Sequence, residues 1–431
     1  MARKITFLHT ADLHIGAPMR GFRNLSDSWA SRLRRAIPEA YDRMIETAIA
    51  RKVDFAVFAG DMFDTARASY GDYLRFFEGL ERLDAAGIPS YLITGNHDPY
   101  TAWQYDLAKL PESAHMLGFD GPQFALYERE GEPLCLIGAR GYHNQAWPVD
   151  EPIAAGITRN AAAQELRRIQ PSAANAPFAI GVIHTGLDLD QSKAYSDPQV
   201  LLGVDIDYWA CGHLHRKLVM PHEHDPRIVF PGCIQGRDLR ESGERGCYFV
   251  TLEESSSARA FVSLEFLPTA SVVFHSLKVD ISTCKTLADI VHFVQARLFH
   301  ESAQASCDEM VVRVELTGTT SLHEYLAKPT VREDLRRQLS NAYPTFFCDD
   351  VIDCTLPPRD RNALMDGNLF SGQVLRVSDR QRASERDLVD YVQSEFVKRG
   401  IDVPSSIGDG MGECNRAAET LVLDLLEAER E

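Results

Sequence analysis

The sequence predicts an α/β protein: a two-sheet β-sandwich flanked by helices, then a small α+β capping domain and a helical C-terminal tail. Three observations carry this. Over residues 4–267, short apolar runs first alternate with helical patterns and then follow one another without helices. The run Val53-Asp54-Phe55-Ala56-Val57-Phe58-Ala59 is almost continuously apolar, as a strand buried on both faces should be. Five short motifs rich in metal-binding residue types each follow an apolar run, where loops at the C-terminal ends of sheet strands converge.

Taken in order, strands are expected at residues 4–9, 53–59, 90–94, 134–138, 178–183 and 207–211, then at 228–231, 246–252 and 260–267. Helical patterns fall at 30–51, 70–86, 101–109 and 160–169. Early βα alternation followed by hairpins suggests two sheets back to back with helices outside. Glu253-Glu254-Ser255-Ser256-Ser257 reads as a hairpin turn, because a strand resumes at Arg259. Leu267-Pro268-Thr269-Ala270 is the better boundary, giving a first domain over 1–268. Strand 271–280, helix 285–299, strand 309–317, helical turns 321–340 and strand 347–355 then make a β-α-β-α-β cap over 269–356, with no metal-ligand cluster. Leu356-Pro357-Pro358 opens a polar linker over 357–383. In the tail, 384–431, Ser384-Glu385-Arg386-Asp387 is a helix start leading to Leu388, Tyr391, Val392 and Phe396 at helical spacing. A last helix from about Glu413 puts Ala418, Leu421, Val422, Leu425 and Leu426 on one face, to pack on its own domain or to dock a partner.

At 431 residues, 45% hydrophobic and 25% charged, the chain can bury a sizeable core. No apolar stretch approaches the ~20 residues that span a bilayer. A motif-bearing strand directly after Met1-Ala2-Arg3-Lys4 argues against a cleaved leader, so a cytoplasmic protein is expected. Nine dispersed cysteines without a C-x-x-C pair fit reduced thiols, and Cys211 and Cys233 read as small buried apolar residues at strand ends. Net charge is −17, from 62 acidic against 45 basic residues, which excludes a protein that coats nucleic acid by charge alone. It does not exclude a nuclease, since divalent ions supply local positive charge to a phosphate. Arg20, Arg23, Arg32, Arg34 and Arg35 cluster after the first motif, and a solvated helix face accounts for them at least as well as phosphate contact.

The five motifs are Asp12-Leu13-His14, Gly60-Asp61-Met62-Phe63-Asp64, Gly95-Asn96-His97-Asp98, His184-Thr185-Gly186 and Gly212-His213-Leu214-His215. Carboxylates, an amide and imidazoles are the ligand mixture of a two-metal hydrolytic centre. Two ions about 3.5–4 Å apart need one bridging ligand and several terminal ones. A carboxylate suits the bridge because one anion offsets repulsion between two cations, and Asp61 is the candidate. Asp12, His14 and His215 would complete one ion; Asn96, His184 and His213 would complete the other. From an extended segment, Asp12 and His14 would project to one side. Glycines at 60, 95 and 212 permit tight turns. A water between such ions is lowered in pKa and attacks phosphorus in line with the leaving oxygen. His97 is left over, able to contact the phosphate or protonate the leaving alkoxide near neutral pH. D-x-H alone is weak; GNHD and GHxH after strands are strong; the ordered set makes accident remote. His9 reads as a core or rim group, and His222-Glu223-His224 as a polar loop.

The set resembles the calcineurin-like metallophosphoesterases. Longer strings, His9-Thr10-Ala11-Asp12-Leu13-His14-Ile15-Gly16, Ala59-Gly60-Asp61-Met62-Phe63-Asp64, Thr94-Gly95-Asn96-His97-Asp98 and Phe230-Pro231-Gly232-Cys233-Ile234-Gln235-Gly236-Arg237, are similar to the SbcD and Mre-type DNA repair exonucleases, especially a bacterial YhaO-like branch. The resemblance is specific over residues 4–252. It implies a two-metal phosphodiesterase, usually with Mn²⁺, hydrolysing DNA as an exonuclease and in some members as an endonuclease. It implies Asp12, His14, Asp61, Asn96, His184, His213 and His215 as metal ligands and His97 as the catalytic histidine. Asp64 falls where some relatives carry a second active-site histidine, with an orienting task implied. Arg237 is a candidate substrate contact, or a structural salt bridge. The family also implies an SMC-type coiled-coil ATPase partner, docked by residues 384–429, and a homodimer.

Two other functions compete. Protein phosphatases of the superfamily follow GDxxD with Arg-Gly and carry GNHE; here Thr65-Ala66 and Asp98 stand instead. A nucleotide or cyclic-nucleotide phosphodiesterase needs the same metal core, and only the cap and tail argue for a larger substrate. An inactive scaffold would be expected to lose Asp61, His97 or His213, and all are present.

Overall fold

A computed structural model of the chain describes residues 3–428 apart from 23–24, 65–66, 105–108, 149–150, 257–258, 305–306, 308, 343–345, 367–368 and 401–409. Along the chain lie β1 (Lys4–Thr10), α1 (Asp27–Arg34), α2 (Ala36–Arg51), β2 (Phe55–Ala59), α3 (Tyr70–Ala85), β3 (Ser90–Ile93), β4 (Ala114–Met116), β5 (Gln123–Arg129) and β6 (Glu132–Arg140). They continue with α4 (Arg159–Leu166), β7 (Phe178–His184), α5 (Pro198–Gly203), β8 (Tyr208–Gly212), β9 (Leu218–His222), β10 (Asp225–Phe230), β11 (Gly246–Glu253) and β12 (Phe261–Pro268). One six-stranded sheet runs β12-β11-β1-β2-β3-β4, and a second runs β5-β6-β7-β8-β10-β9.

Alternation along the strands builds the sandwich. Ile5 and Phe7 of β1, Phe55 and Val57 of β2, and Phe178, Ile180 and Val182 of β7 share one core between the sheets. The intervening Leu8, Ala56 and Phe58 point the other way, onto Tyr41, Met44 and Ile45 of α2 and Tyr73, Phe76 and Leu80 of α3. On the second sheet, Ala179, Ile183 and Trp209 face outward onto Ile157, Leu166 and Leu201. Each large side chain so buried contributes about 1.5–3 kcal/mol. α3 starts in a capping box, with the Ser69 hydroxyl accepting from the Asp72 N–H and the Asp72 carboxylate accepting from the Ser69 N–H. The helix expected over 30–51 is two helices, α1 and α2, meeting at Arg35. The helix expected over 101–109 is a three-residue 3₁₀ turn, Tyr100–Ala102, and residues 105–108 lie outside those described.

Beyond β12, a three-stranded sheet runs in order from β13 (Val273–Asp280) through β14 (Met310–Thr319) to β15 (Phe346–Leu356), with α6 (Leu287–Gln304), α7 (His323–Leu326) and α8 (Pro329–Ala342) between its strands. The C-terminal segment holds α9 (Arg361–Asp366), α10 (Phe370–Ala383), α11 (Glu385–Lys398) and α12 (Met411–Ala428). Residues 357–383, read from sequence as a linker, therefore carry two helices. Small residues conceal the pattern: Ser371, Gly372, Leu375 and Ser378 are the buried positions of α10. Arg361 of α9 binds Asp379 of α10 at 2.5 Å and also pairs with Glu419 of α12. The Ser378 hydroxyl donates to Asn415 Oδ1 at 2.7 Å, buried. The described residues divide into two compact units, 1–277 with 293–314 and 336–351, and 278–292 with 315–335 and 352–431. Both six-stranded sheets belong to the first. Among the described residues no helix is long and apolar enough to cross a membrane.

Candidate metal centre

The loops after β1, β2, β3, β7 and β8 meet at one rim of the sandwich, and they are the five motifs. The backbone around them is not extended. Asp12, His14 and Asp61 have φ of 52°, 47° and 55°, and His213 has φ of 105°. Asp and His tolerate the left-handed region better than most residues, yet each costs roughly 1–3 kcal/mol and persists only where the surroundings hold it. The expectation that Asp12 and His14 share a side because they lie on an extended segment is corrected here: consecutive turns bring them together. Those turns are held by main-chain bonds from Asp12 N–H to Gly60 O (3.1 Å), His14 N–H to Asp61 O (3.1 Å) and Ile15 N–H to Met62 O (2.9 Å). At Gly60, with φ of +91°, a Cβ would sit 2.5 Å from His184 Nδ1, so the bare backbone lets that imidazole in.

Asp98, which the sequence placed only as the end of a motif, proves central. Its carboxylate accepts from the N–H groups of Gly95 (2.7 Å), Asp61 (3.1 Å), Met62 (2.8 Å) and Phe63 (3.3 Å). One buried side chain thus shapes the loops of two motifs. Burial, and then the nearby Asp61 carboxylate, push the Asp98 carboxyl up; the peptide donors oppose them.

Seven expected ligands converge. Asp12, His14 and His215 form one group whose ligand atoms lie within 4.8 Å of one another, and Asp12, Asp61 and His184 form a second. Asp61 Oδ2 lies 3.4 Å from His184 Nε2 and 3.8 Å from His14 Nε2, between the groups. Asn96 Oδ1 is 3.3 Å from His184 Nε2 and 3.2 Å from His213 Nδ1. The far nitrogens are anchored. His184 Nδ1 meets Ala59 O at 2.9 Å, His213 Nε2 meets Asp190 at 3.2 Å, and His215 Nδ1 meets Glu241 at 2.7 Å. Such anchors fix which nitrogen faces a metal. Asp190 and Glu241 escaped the sequence reading, lying outside every motif.

The electrostatics suit cations. Asp61 Oδ2 is buried and accepts no hydrogen bond of normal geometry; its charge is met only by the His184 and His14 imidazoles at 3.4 and 3.8 Å. Burial opposes ionisation of Asp61, but the His184 imidazole outweighs it and holds the carboxyl below its usual range. Burial opposes charging His184 too, and Asp61 outweighs it, pushing the imidazole up to about 9. Burial holds His14 well below the usual range, and burial with neighbouring His184 brings His213 down to about 4. Neutral imidazoles and ionised carboxylates are the metal-binding forms. His14, His213 and Asp61 are already in them, whereas His184 beside Asp61 carries a proton that a bound cation would displace, and with that exchange the donor set fits two divalent ions.

His97 is exposed at the rim. Its N–H donates to Asp61 Oδ1 at 2.8 Å, and its ring meets that of His14 edge-on, centroids 5.0 Å apart. Asp64 is buried behind, 3.9 Å from the guanidinium groups of both Arg20 and Arg67. Thr65 and Ala66 lie outside the described residues. The Arg237 guanidinium lies 3.1 Å from Glu241 and 3.0 Å from His215 Nδ1, the salt-bridge arrangement. His9 is a core group, its Nδ1 2.8 Å from the Tyr208 hydroxyl, and burial brings it down to about 3. Cys211 and Cys233 are buried and their thiols pushed up by burial. His222 ends β9 at the surface of a hairpin with β10.

Comparison with known proteins agrees with this geometry. Residues 5–217 match the family described as Calcineurin-like phosphoesterase, and residues 274–352 match "Metallophosphoesterase YhaO, middle domain". The chain is 29% identical to "Uncharacterized metallophosphoesterase YhaO" of Bacillus subtilis, over 74% of this chain and 73% of that one. It is 36% identical to "DNA double-strand break repair protein Mre11" of Methanosarcina mazei, covering 94% of this chain and 64% of the relative. Against Mre11 of Aeropyrum pernix it is 26% identical, covering 56% of each. The chain thus spans under two thirds of the length of these two Mre11 relatives. With the family match running from β1 past the last histidine motif, and a second metallophosphoesterase match following over residues 274–352, the chain belongs to the calcineurin-like metallophosphoesterases.

Proposed function

We propose that this metallophosphoesterase is a phosphodiesterase acting on DNA: a Mn²⁺-dependent exonuclease, with endonuclease activity as an extension, in DNA repair. Asp12, His14 and His215 would hold one ion and Asn96, His184 and His213 the other, with Asp61 placed to serve both. The observation that carries the reading is the convergence of these side chains around the buried Asp61 carboxylate, with exposed His97 at their edge. Two divalent ions in this place supply an activated water and neutralise phosphate charge. The protein's own groups do the rest. Asp98 holds the Asp61 and Gly95 loops in their turned conformation. The Ala59 carbonyl, Asp190 and Glu241 orient three histidines. His97, anchored through its N–H, presents an imidazole to the substrate phosphate or leaving oxygen. Asp64 orients the loop, and Arg237 steadies His215 through Glu241. The likeness to Mre11 proteins, named for DNA double-strand break repair, supports DNA as the substrate; with it the proposal includes an SMC-type ATPase partner docked on the C-terminal helices, a homodimer and a cytoplasmic setting.

The test offers the purified protein with Mn²⁺ linear DNA, circular DNA, a small phosphodiester, a cyclic nucleotide and a phosphopeptide. Degradation of DNA is expected; turnover restricted to the small substrates would replace the nuclease reading with a nucleotide phosphodiesterase or phosphatase. His97→Ala should lower turnover by about 10²–10⁴-fold, the usual worth of a general acid, while metal content stays near wild type. Unchanged turnover removes the catalytic role.

A further inference from the structure

Away from the metal centre, the first unit has a cleft of about 720 Å³ lined by Arg32, Arg35, Arg336 and Arg337, with one carboxylate, Glu309, among the described lining residues. In a chain of net charge −17 this is a local reversal of sign. α1 and the junction after it bring Arg32 and Arg35, and α8 brings the other two. Ser26, Ser28 and Ser340 add hydroxyls to the lining. Trp29 and Phe347 lie together between them, ring centroids 5.6 Å apart. Arg32 is committed to structure: it pairs with Glu309 and, at 2.9 Å, with Glu39, and donates to Ser271 O at 3.0 Å. Arg35, which shares Glu39 with Arg32 at 3.5 Å, and Arg337 are exposed at the cleft mouth. Guanidinium groups and hydroxyls around an open cleft are the donor set for phosphate oxygens, and they carry no pattern that reads base edges.

The cleft is also tied to the metal centre. Ser271, which accepts from Arg32, donates its N–H to Gln235 Oε1 at 2.9 Å, and Gln235 Nε2 donates to Val272 O at 2.7 Å. Gln235 leads directly into Arg237, whose guanidinium touches His215. One short peptide, Ser271-Val272, therefore backs both the cleft and the loop behind the metal centre.

We propose that this cleft is a second contact for the nucleic acid, gripping backbone phosphates remote from the bond being cut. The inference rests on the DNA reading above and adds a site to it. Its chemistry explains how an acidic protein holds a polyanion: locally, through a few guanidinium contacts, rather than by overall charge. It predicts binding that is independent of sequence and steeply dependent on salt.

The experiment measures anisotropy of a fluorescent blunt duplex against protein in EDTA, across a salt series, with hydrolysis of bis-p-nitrophenyl phosphate in Mn²⁺ alongside. Arg35→Gln/Arg337→Gln removes two exposed charges. Arg167→Gln/Arg168→Gln, two exposed charges outside the cleft, is the control for net charge. The cleft variant should bind DNA about tenfold more weakly near 0.1 M salt, with the salt slope smaller by up to about 2. Its small-ester rate and melting temperature should match wild type, and the control should bind as wild type. A cleft variant with unaltered affinity and slope, or one no weaker than the control, overturns the cleft while leaving the nuclease reading intact if DNA is still degraded. A wild-type protein that neither binds nor degrades DNA overturns both.

Discussion

At the scale of single residues, Asp98 decides more than any ligand. It accepts four main-chain N–H groups from two loops, and leaving buried donors unpaired costs about 1–3 kcal/mol each. Asp98→Ala should therefore lower the unfolding free energy by at least about 2 kcal/mol and weaken metal binding, although Asp98 is no ligand. Denaturant unfolding and metal titration check this; an unchanged midpoint would show that the loops hold without it. The sequence made the ligands legible because carboxylate, amide and imidazole at the ends of apolar runs are a chemical signature. It hid Asp190 and Glu241, each of which meets its histidine from a distant loop, and it hid the left-handed turns at Asp12 and His14, since D-x-H looks the same whether extended or turned.

At the scale of elements, α2 and α3 pack through a place where only glycine fits. A Cβ at Gly79 would come within 2.6 Å of the Tyr41 ring, whose hydroxyl donates to Phe76 O at 2.8 Å. Gly79→Ala gains helix propensity but overpacks this contact, so a net loss of about 1–3 kcal/mol is expected in thermal unfolding. The C-terminal helices depend on charge instead. Burial would raise the Glu419 carboxyl, but its bonds to Arg361 and Ser378 outweigh burial and hold it below its ordinary 4.5. A lowered carboxylate gives stability that is present above pH 4.5 and lost as pH falls through the folded value. Hydrogen-exchange protection in α12 should thus fall on acidification below that point, and Arg361→Gln should weaken the dependence, Ser378 and Arg382 still holding Glu419. Composition made these helices only half legible: α11 and α12 show apolar spacing, whereas α10 buries serine and glycine and pairs its charges across to α9 and α12. Most of the long β-strands were legible from their apolar runs, but seven-residue β5 was not, because it is largely half-buried and polar at both ends. Short β4 and β9 were not, being three and five residues with exposed positions.

At the scale of the whole molecule, the centre draws Asp12, Asp61 and Asn96 from one sheet and His184 and His213 from the other. Any ion bound there stabilises the native state by mass action, about 2.7 kcal/mol at a concentration 100 times its dissociation constant. Mn²⁺ should raise the melting temperature of chelator-treated protein in a concentration-dependent way, and Asp61→Asn should abolish most of the rise. A rise that persists unchanged in Asp61→Asn would move the binding elsewhere.

That shared origin makes the packing between the sheets a control on ion affinity. Phe7 of the first sheet meets Tyr208 of the second edge-on, ring centroids 5.6 Å apart, and helps set how far one sheet stands from the other. A smaller side chain there would touch no ligand, yet it would let the two halves of the coordination shell drift. The hydrophobic core thus serves as a gauge block for the spacing of two ions it never meets.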